Sequence, residues 1–135
     1  VSRRRQGAAA IEAALVLPVL LILVAGIIEV SWYLHLRFAL VDVAQRAVRS
    51  GAVTGDATLV TTNAEAKATQ MLAAYGIRGG SVSATLDPGP PELVRVRVEV
   101  GYAALMGLVP TPTTVSAQAV DENEDPNNPG KRAVG

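Results

Sequence analysis

The residues that could do chemistry lie together near the start of the chain: Arg3, Arg4 and Arg5, then Gly7, then Glu12 set within the apolar run AAAIEAALVLPVLLILVAGII of residues 8–28. A carboxylate in the apolar part of a bilayer costs on the order of a few kcal/mol, and ionisable residues placed there usually serve a function. Such a group becomes tolerable beside a paired cation. A cut after Gly7 would supply one, because Ala8 would become a new N-terminus whose α-amino group, with a pKa of about 8, is largely protonated at neutral pH. Glu12 would then be the fifth residue, one helical turn away. The new ammonium sits at the end of the helix axis, so the terminus of a neighbouring chain is the better partner. Glu12 thus reads as a handle for self-assembly, with simple reach to the headgroups as the plainer alternative.

Elsewhere the chain offers little chemistry. It has no Cys and one His, so neither a disulfide framework nor a thiolate metal site is available, and His35 is the one imidazole base. His35 falls on a predicted helix just past the apolar run, where a solvated or headgroup-facing role is the simpler reading. Asp121, Asn123 and Asp125 alternate like the start of a calcium loop, but Pro126 stands where the loop needs Gly and Arg132 where it needs Glu. An EF-hand is excluded. No phosphate loop, nucleophile motif or paired-carboxylate signature occurs, so an enzyme is not expected and no cofactor is implied. The formal net charge of +0 suggests no nucleic-acid partner.

The elements that must position Glu12 begin with the apolar run itself. About twenty apolar residues at roughly 1.5 Å rise each cross a hydrocarbon core of about 30 Å, so residues 8–28 are long enough to span a bilayer. A cleaved secretory signal would have a shorter core of about 7 to 15 residues and a small-x-small site, which Glu29-Val30-Ser31-Trp32 does not provide. Arg3, Arg4 and Arg5 predict a cytoplasmic N-terminus and a C-terminal domain outside. Trp32 and Tyr33 then fall at the outer headgroups, where amphipathic rings are favoured. Neither Gly nor Pro recurs until Gly51, so the helix is predicted to continue outside the membrane over residues 29–50. Leu34, Phe38, Val41 and Val48, with Leu40 and Ala44 close by, form its predicted apolar stripe. Pro18 is expected to kink or loosen one turn of the span.

Residues 51–62 read as a loop, followed by a helix capped at Thr62 or Asn63 and ended by Gly76, with Met71, Leu72 and Tyr75 on its apolar edge. Residues 81–86 alternate weakly. Residues 93–102 alternate almost ideally, with Val94, Val96, Val98, Val100 and Tyr102 on one side and Arg95, Arg97 and Glu99 on the other. Residues 105–110 form a loop with exposed apolar residues, 114–120 a third short strand, and 121–135 a polar tail expected to be disordered. The expected fold class is α+β: a long N-terminal helix, half transmembrane and half amphipathic, bearing over residues 51–120 a small head of one helix and a short antiparallel sheet.

Basic residues, a Gly, four small or apolar residues, a Glu and a long apolar stretch resemble the class III signal of type IV pilins. The segment QGAAAIEAALVLPVL from Gln6, followed by GIIEV from Gly26, is similar to the start of the TadE family of pseudopilins of tight-adherence (Flp) pilus machinery. The resemblance implies a basic leader, residues 1–7, removed by a prepilin peptidase between Gly7 and Ala8 on the cytoplasmic side. It implies a non-enzymatic minor pilin in the bacterial inner membrane, whose partners are other pilins or pseudopilins, assembly platform proteins and the lipid bilayer. The competing reading is a single-pass membrane protein with an extracytoplasmic partner-binding domain that is neither processed nor assembled.

Overall fold

The computed structural model describes residues 2–54 and 56–124. Helix α1 (Ser2–Ala52) runs unbroken for 51 residues, roughly 76 Å at about 1.5 Å per residue, and continues through Pro18. Helix α2 (Ala57–Ala74) folds back against its last turns, and three strands follow: β1 (Ser81–Asp87), β2 (Leu93–Gly101) and β3 (Thr114–Glu122). The sheet is antiparallel in the order β1-β2-β3, so sequential strands are neighbours joined by the turns at 88–92 and 102–113. The architecture is α+β, as the patterning predicts.

The core lies between the two helices and one face of the sheet. Val94, Val96, Val98 and Val100 of the central strand point inward, each buried, while Arg95 and Arg97 point out. Val96 is flanked in register by Ala84 of β1 and Ala119 of β3. Small residues beside the large central valines let the helices sit close on the sheet. On the solvated face Arg95 pairs with Asp87 at 2.9 Å and Arg97 with Glu99 at 3.3 Å.

Four sequence expectations are corrected here. The buried stripe of α1 is Tyr33, Leu36, Leu40, Val43, Ala44, Ala47 and Val48, whereas Leu34, Phe38 and Val41 face outward. α2 starts earlier than Thr62 because Asp56 caps it: its carboxylate accepts from the Thr58 N–H at 2.9 Å and from the Thr58 hydroxyl at 2.7 Å. Of the expected apolar edge of α2, Leu72 is buried beside Val60, Ala64 and Ala68 and Met71 packs against the core, whereas Tyr75 lies exposed with its hydroxyl donating to Asp42 at 2.8 Å. Finally, Asp121 and Glu122 complete β3 and belong to no disordered tail. Asn123 is buried, its N–H donating to the Glu92 carbonyl and its side-chain amide to the Glu92 carboxylate, both at 2.9 Å. The Glu124 N–H then caps the Ala52 carbonyl at the end of α1, also at 2.9 Å, and Arg49 pairs with the Glu124 carboxylate at 2.6 Å. The rest of the expected tail, 125–135, lies outside the described residues.

Gly51 sets the distance between the helices. A Cβ there would stand 2.8 Å from the Val60 carbonyl oxygen and 3.0 Å from the Ala64 Cβ, so the backbones touch where only Gly fits. Gly51→Ala gains about 1 kcal/mol of helix propensity. Overpacking costs about 1–3 kcal/mol, more when the obstacle is backbone, so the steric effect wins. The expected outcome is a net loss of up to about 2 kcal/mol in denaturant unfolding of the head, and a stabilised variant would contradict the close packing.

Candidate functional site

Among the described residues, nothing in the fold covers the stretch 9–24 of α1. Its most apolar stretch has a mean hydropathy of 2.8 and none of it is buried by the rest of the chain. A core helix of a water-soluble protein would be covered; this one is long and apolar enough to cross a membrane, which suggests an anchor carrying a head. The same helix continues without a break into the head's core, so the apolar segment and the head share one element.

Arg3, Arg4, Arg5 and Ala8 lie along the first turns of α1, and Gly7 is exposed on it. Glu12 is also exposed, with neighbours Ile11, Leu15 and Val16 open to the surroundings. Among the described side chains no cation pairs with Glu12.

Beyond residue 28 the helix keeps an outward apolar seam. Ile27, Val30, Leu34, Phe38 and Val41 follow one another at three- and four-residue steps, roughly a third of a turn round from the head-facing stripe. Phe38 is 68% exposed. Large apolar side chains in helical register on an uncovered helix mark an interaction surface. Alongside it Asp42 bonds Arg46 at 2.8 Å as well as Tyr75, and these two donors, Arg46 first, hold its carboxyl below the ordinary range.

The unexpected feature is Glu29. It ends the apolar run, yet its side chain is 0% exposed and turns toward the head. Its Oε1 accepts from the Gly107 N–H at 3.0 Å, and its Oε2 from the N–H groups of Leu108 at 3.0 Å and Val109 at 3.3 Å. Gly107 has φ +66°, a left-handed conformation that L side chains disfavour, and this turn aims three consecutive donors at one carboxylate. Burial raises the pKa of Glu29, but the donors at Leu108, Gly107 and Val109 together outweigh it, and the carboxyl lies below its ordinary 4.5. The loop between β2 and β3, closed by the Tyr102 N–H on the Thr113 carbonyl at 2.8 Å, is thereby fastened to the helix where it leaves the apolar run. Sequence reasoning passed over Glu29. The available signal was a second carboxylate in an otherwise apolar segment, but its partners are backbone groups 78 to 80 residues further on.

The two aromatic rings expected at the interface part company. Trp32 is 49% exposed and stacks on His35 with ring centroids 6.1 Å apart. Tyr33 turns inward and meets Tyr102 edge to face at 5.5 Å, so its ring packs the head. The residues that alternate like a calcium loop are otherwise engaged: Asp121 faces Arg49 at 3.5 Å and Asn123 holds Glu92, while Asp125 lies outside the described residues.

Residues 7–49 match the model of the family described as TadE-like protein. The match covers the apolar span and most of the helix outside it, including Glu12, Glu29 and the outward seam. No curated protein and no solved structure matches the chain.

Proposed function

We propose, with the TadE-like match over residues 7–49 as the premise, that this chain is a membrane-anchored minor pilin, or pseudopilin, that takes part in assembling a tight-adherence type IV pilus without catalysing a reaction. The observation that carries the reading is α1 itself: one helix, uncovered and apolar in its first half, still presenting an apolar seam beside the head in its second. A monomer that stayed alone in the bilayer would have no use for Leu34, Phe38 and Val41 outside it. A subunit that packs its helix among others would bury them.

In this reading Arg3, Arg4 and Arg5 hold the leader in the cytoplasm of a bacterium, the span lies in the inner membrane and the head lies outside. A prepilin peptidase cuts between Gly7 and Ala8. Glu12 then pairs with the freed ammonium of a neighbouring subunit, which makes a carboxylate affordable in the apolar layer. Trp32 marks the outer interface. The partners are other pilins and the assembly platform in the membrane.

Processing is the decisive step to test. N-terminal sequencing of the chain, purified from membranes of a host with its prepilin peptidase, is expected to begin at Ala8. A chain recovered wholly with its arginines would overturn the pilin reading and leave an unprocessed single-pass membrane protein that binds its partners through the head.

A further inference from the structure

We propose that the loop between β2 and β3 is a second membrane contact: Leu105, Met106 and Leu108 enter the lipid leaflet on the head's side, next to the last turn of the span. The proposal rests on the reading of residues 8–28 as a membrane span. Leu105 is 56% exposed, Met106 54% and Leu108 50%, and together they form the one cluster of large apolar side chains on the head's described loops. Other exposed large apolar side chains of the head are spread over different elements, such as Leu59 on α2 and Val120 on β3.

Three further observations favour lipid as the occupant. First, the Gly107, Leu108 and Val109 N–H groups bind Glu29, the first residue after the apolar run, which fixes the loop at the depth where α1 leaves the hydrocarbon. Second, Leu105 shares an open apolar groove with Ile27, Ile28 and Trp32, so the loop's surface is continuous with that of the span. Third, no Asp, Glu, Lys or Arg occurs between Glu99 and Asp121, so immersing the loop tip desolvates no charged side chain. Three of the backbone N–H groups at the tip, those of Gly107, Leu108 and Val109, are already taken by the Glu29 carboxylate and need no partner from lipid. An exposed Trp32 on the same groove suits the headgroup level.

The consequence is orientation. A single helix can tilt and rotate in a bilayer, whereas a helix with a rigid apolar loop beside it cannot rotate without dragging that loop into water. The head would be held in one attitude, with the outward seam of α1 turned along the membrane plane toward arriving subunits.

The chain has no native Cys, so single labels can be placed cleanly. Met106→Cys and, separately, Leu105→Cys in the full chain carry a nitroxide, with Ile22→Cys as the reference in lipid and Val120→Cys as the reference in water. The labelled chains are diluted in phosphatidylglycerol and phosphatidylcholine vesicles, and collision rates with oxygen, which partitions into lipid, are compared with those of a water-soluble nickel chelate. The expected result is an oxygen-to-nickel ratio at 105 and 106 on the same side as at 22 and opposite to that at 120. Ratios at 105 and 106 like that at 120, with 22 still in lipid, overturn the loop contact and leave the span intact. Protection of 105 and 106 from both reagents overturns it in favour of another protein copy covering the loop. Nickel access at 22 would remove the span and the loop contact together.

Discussion

Glu29→Gln is expected to lower the melting temperature of the head on the order of 10 °C, read from the near-ultraviolet circular dichroism of the full chain in lipid nanodiscs. Glu29→Ala should be no milder. Taking a carboxylate out of water is costly, and the structure repays that cost with three backbone donors at 3.0 to 3.3 Å. Gln has nearly the same shape but brings an NH2 group, which would meet a donor with a donor and leave N–H groups of the loop unmatched. If packing alone mattered, Gln would be tolerated; a melting temperature within about 2 °C of the natural chain would therefore sink the anion-clamp interpretation. The pH dependence has a definite sign. The folded-state pKa of Glu29 lies below the ordinary 4.5, so its stabilising effect is complete above that value and is lost as pH falls through the depressed folded value. The Gln variant should lack this acid-side loss.

The elements with a strong single period were legible in the sequence. Val94, Val96, Val98 and Val100 alternate because one face of β2 is buried and the other is wet, and the structure places them so. The length of α1 was legible for a related reason: between Pro18 and Gly51 no Pro and no Gly but Gly26 breaks the apolar and amphipathic run. What failed was the choice between two apolar faces on one helix. Leu34, Phe38 and Val41 are larger than Ala44, Ala47 and Gly51, and size alone nominates them as core. The head instead packs on a face that mixes Leu40, Val43 and Val48 with Ala44, Ala47 and Gly51, small where α2 comes closest: a Cβ at Gly51 would stand 2.8 Å from the Val60 carbonyl oxygen. The larger set is left for the surroundings.

Candidate site residues divided along a similar line. Glu12 stood out locally, since its anomaly is a charge among apolar neighbours and needs no other part of the chain to be noticed. Glu29 has meaning only with the loop at 107–109, and no local pattern announces a contact across the whole head. Asp121 and Glu124 read as a solvated tail because their composition is polar. Their places are set by Arg49 at the far end of α1 and by the Ala52 carbonyl, partners that tertiary structure alone brings within reach.

Phe38→Asp is expected to cut the recovery of this chain with assembled pilins by about 10- to 100-fold while leaving membrane insertion and the head's melting temperature unchanged. Phe38 touches none of the core, so the isolated subunit loses nothing when the ring is removed. Burying a large apolar side chain in a helix-helix contact is worth about 1.5–3 kcal/mol, and each 1.4 kcal/mol or so is tenfold in an equilibrium constant, which gives that range. An unpaired carboxylate trapped in the same contact adds to the penalty. Val120→Asp is the matched control: it is also exposed and apolar, but it sits on the solvated face of β3 opposite Arg95, off the helix. Equal recovery of both variants would mean that the seam of Val30, Leu34, Phe38 and Val41 stays uncovered in the assembly, and the pilus role would then have to be carried by the span and Glu12 alone. A drop with Phe38→Asp that appears together with a lower melting temperature would instead reassign Phe38 to the fold of the head.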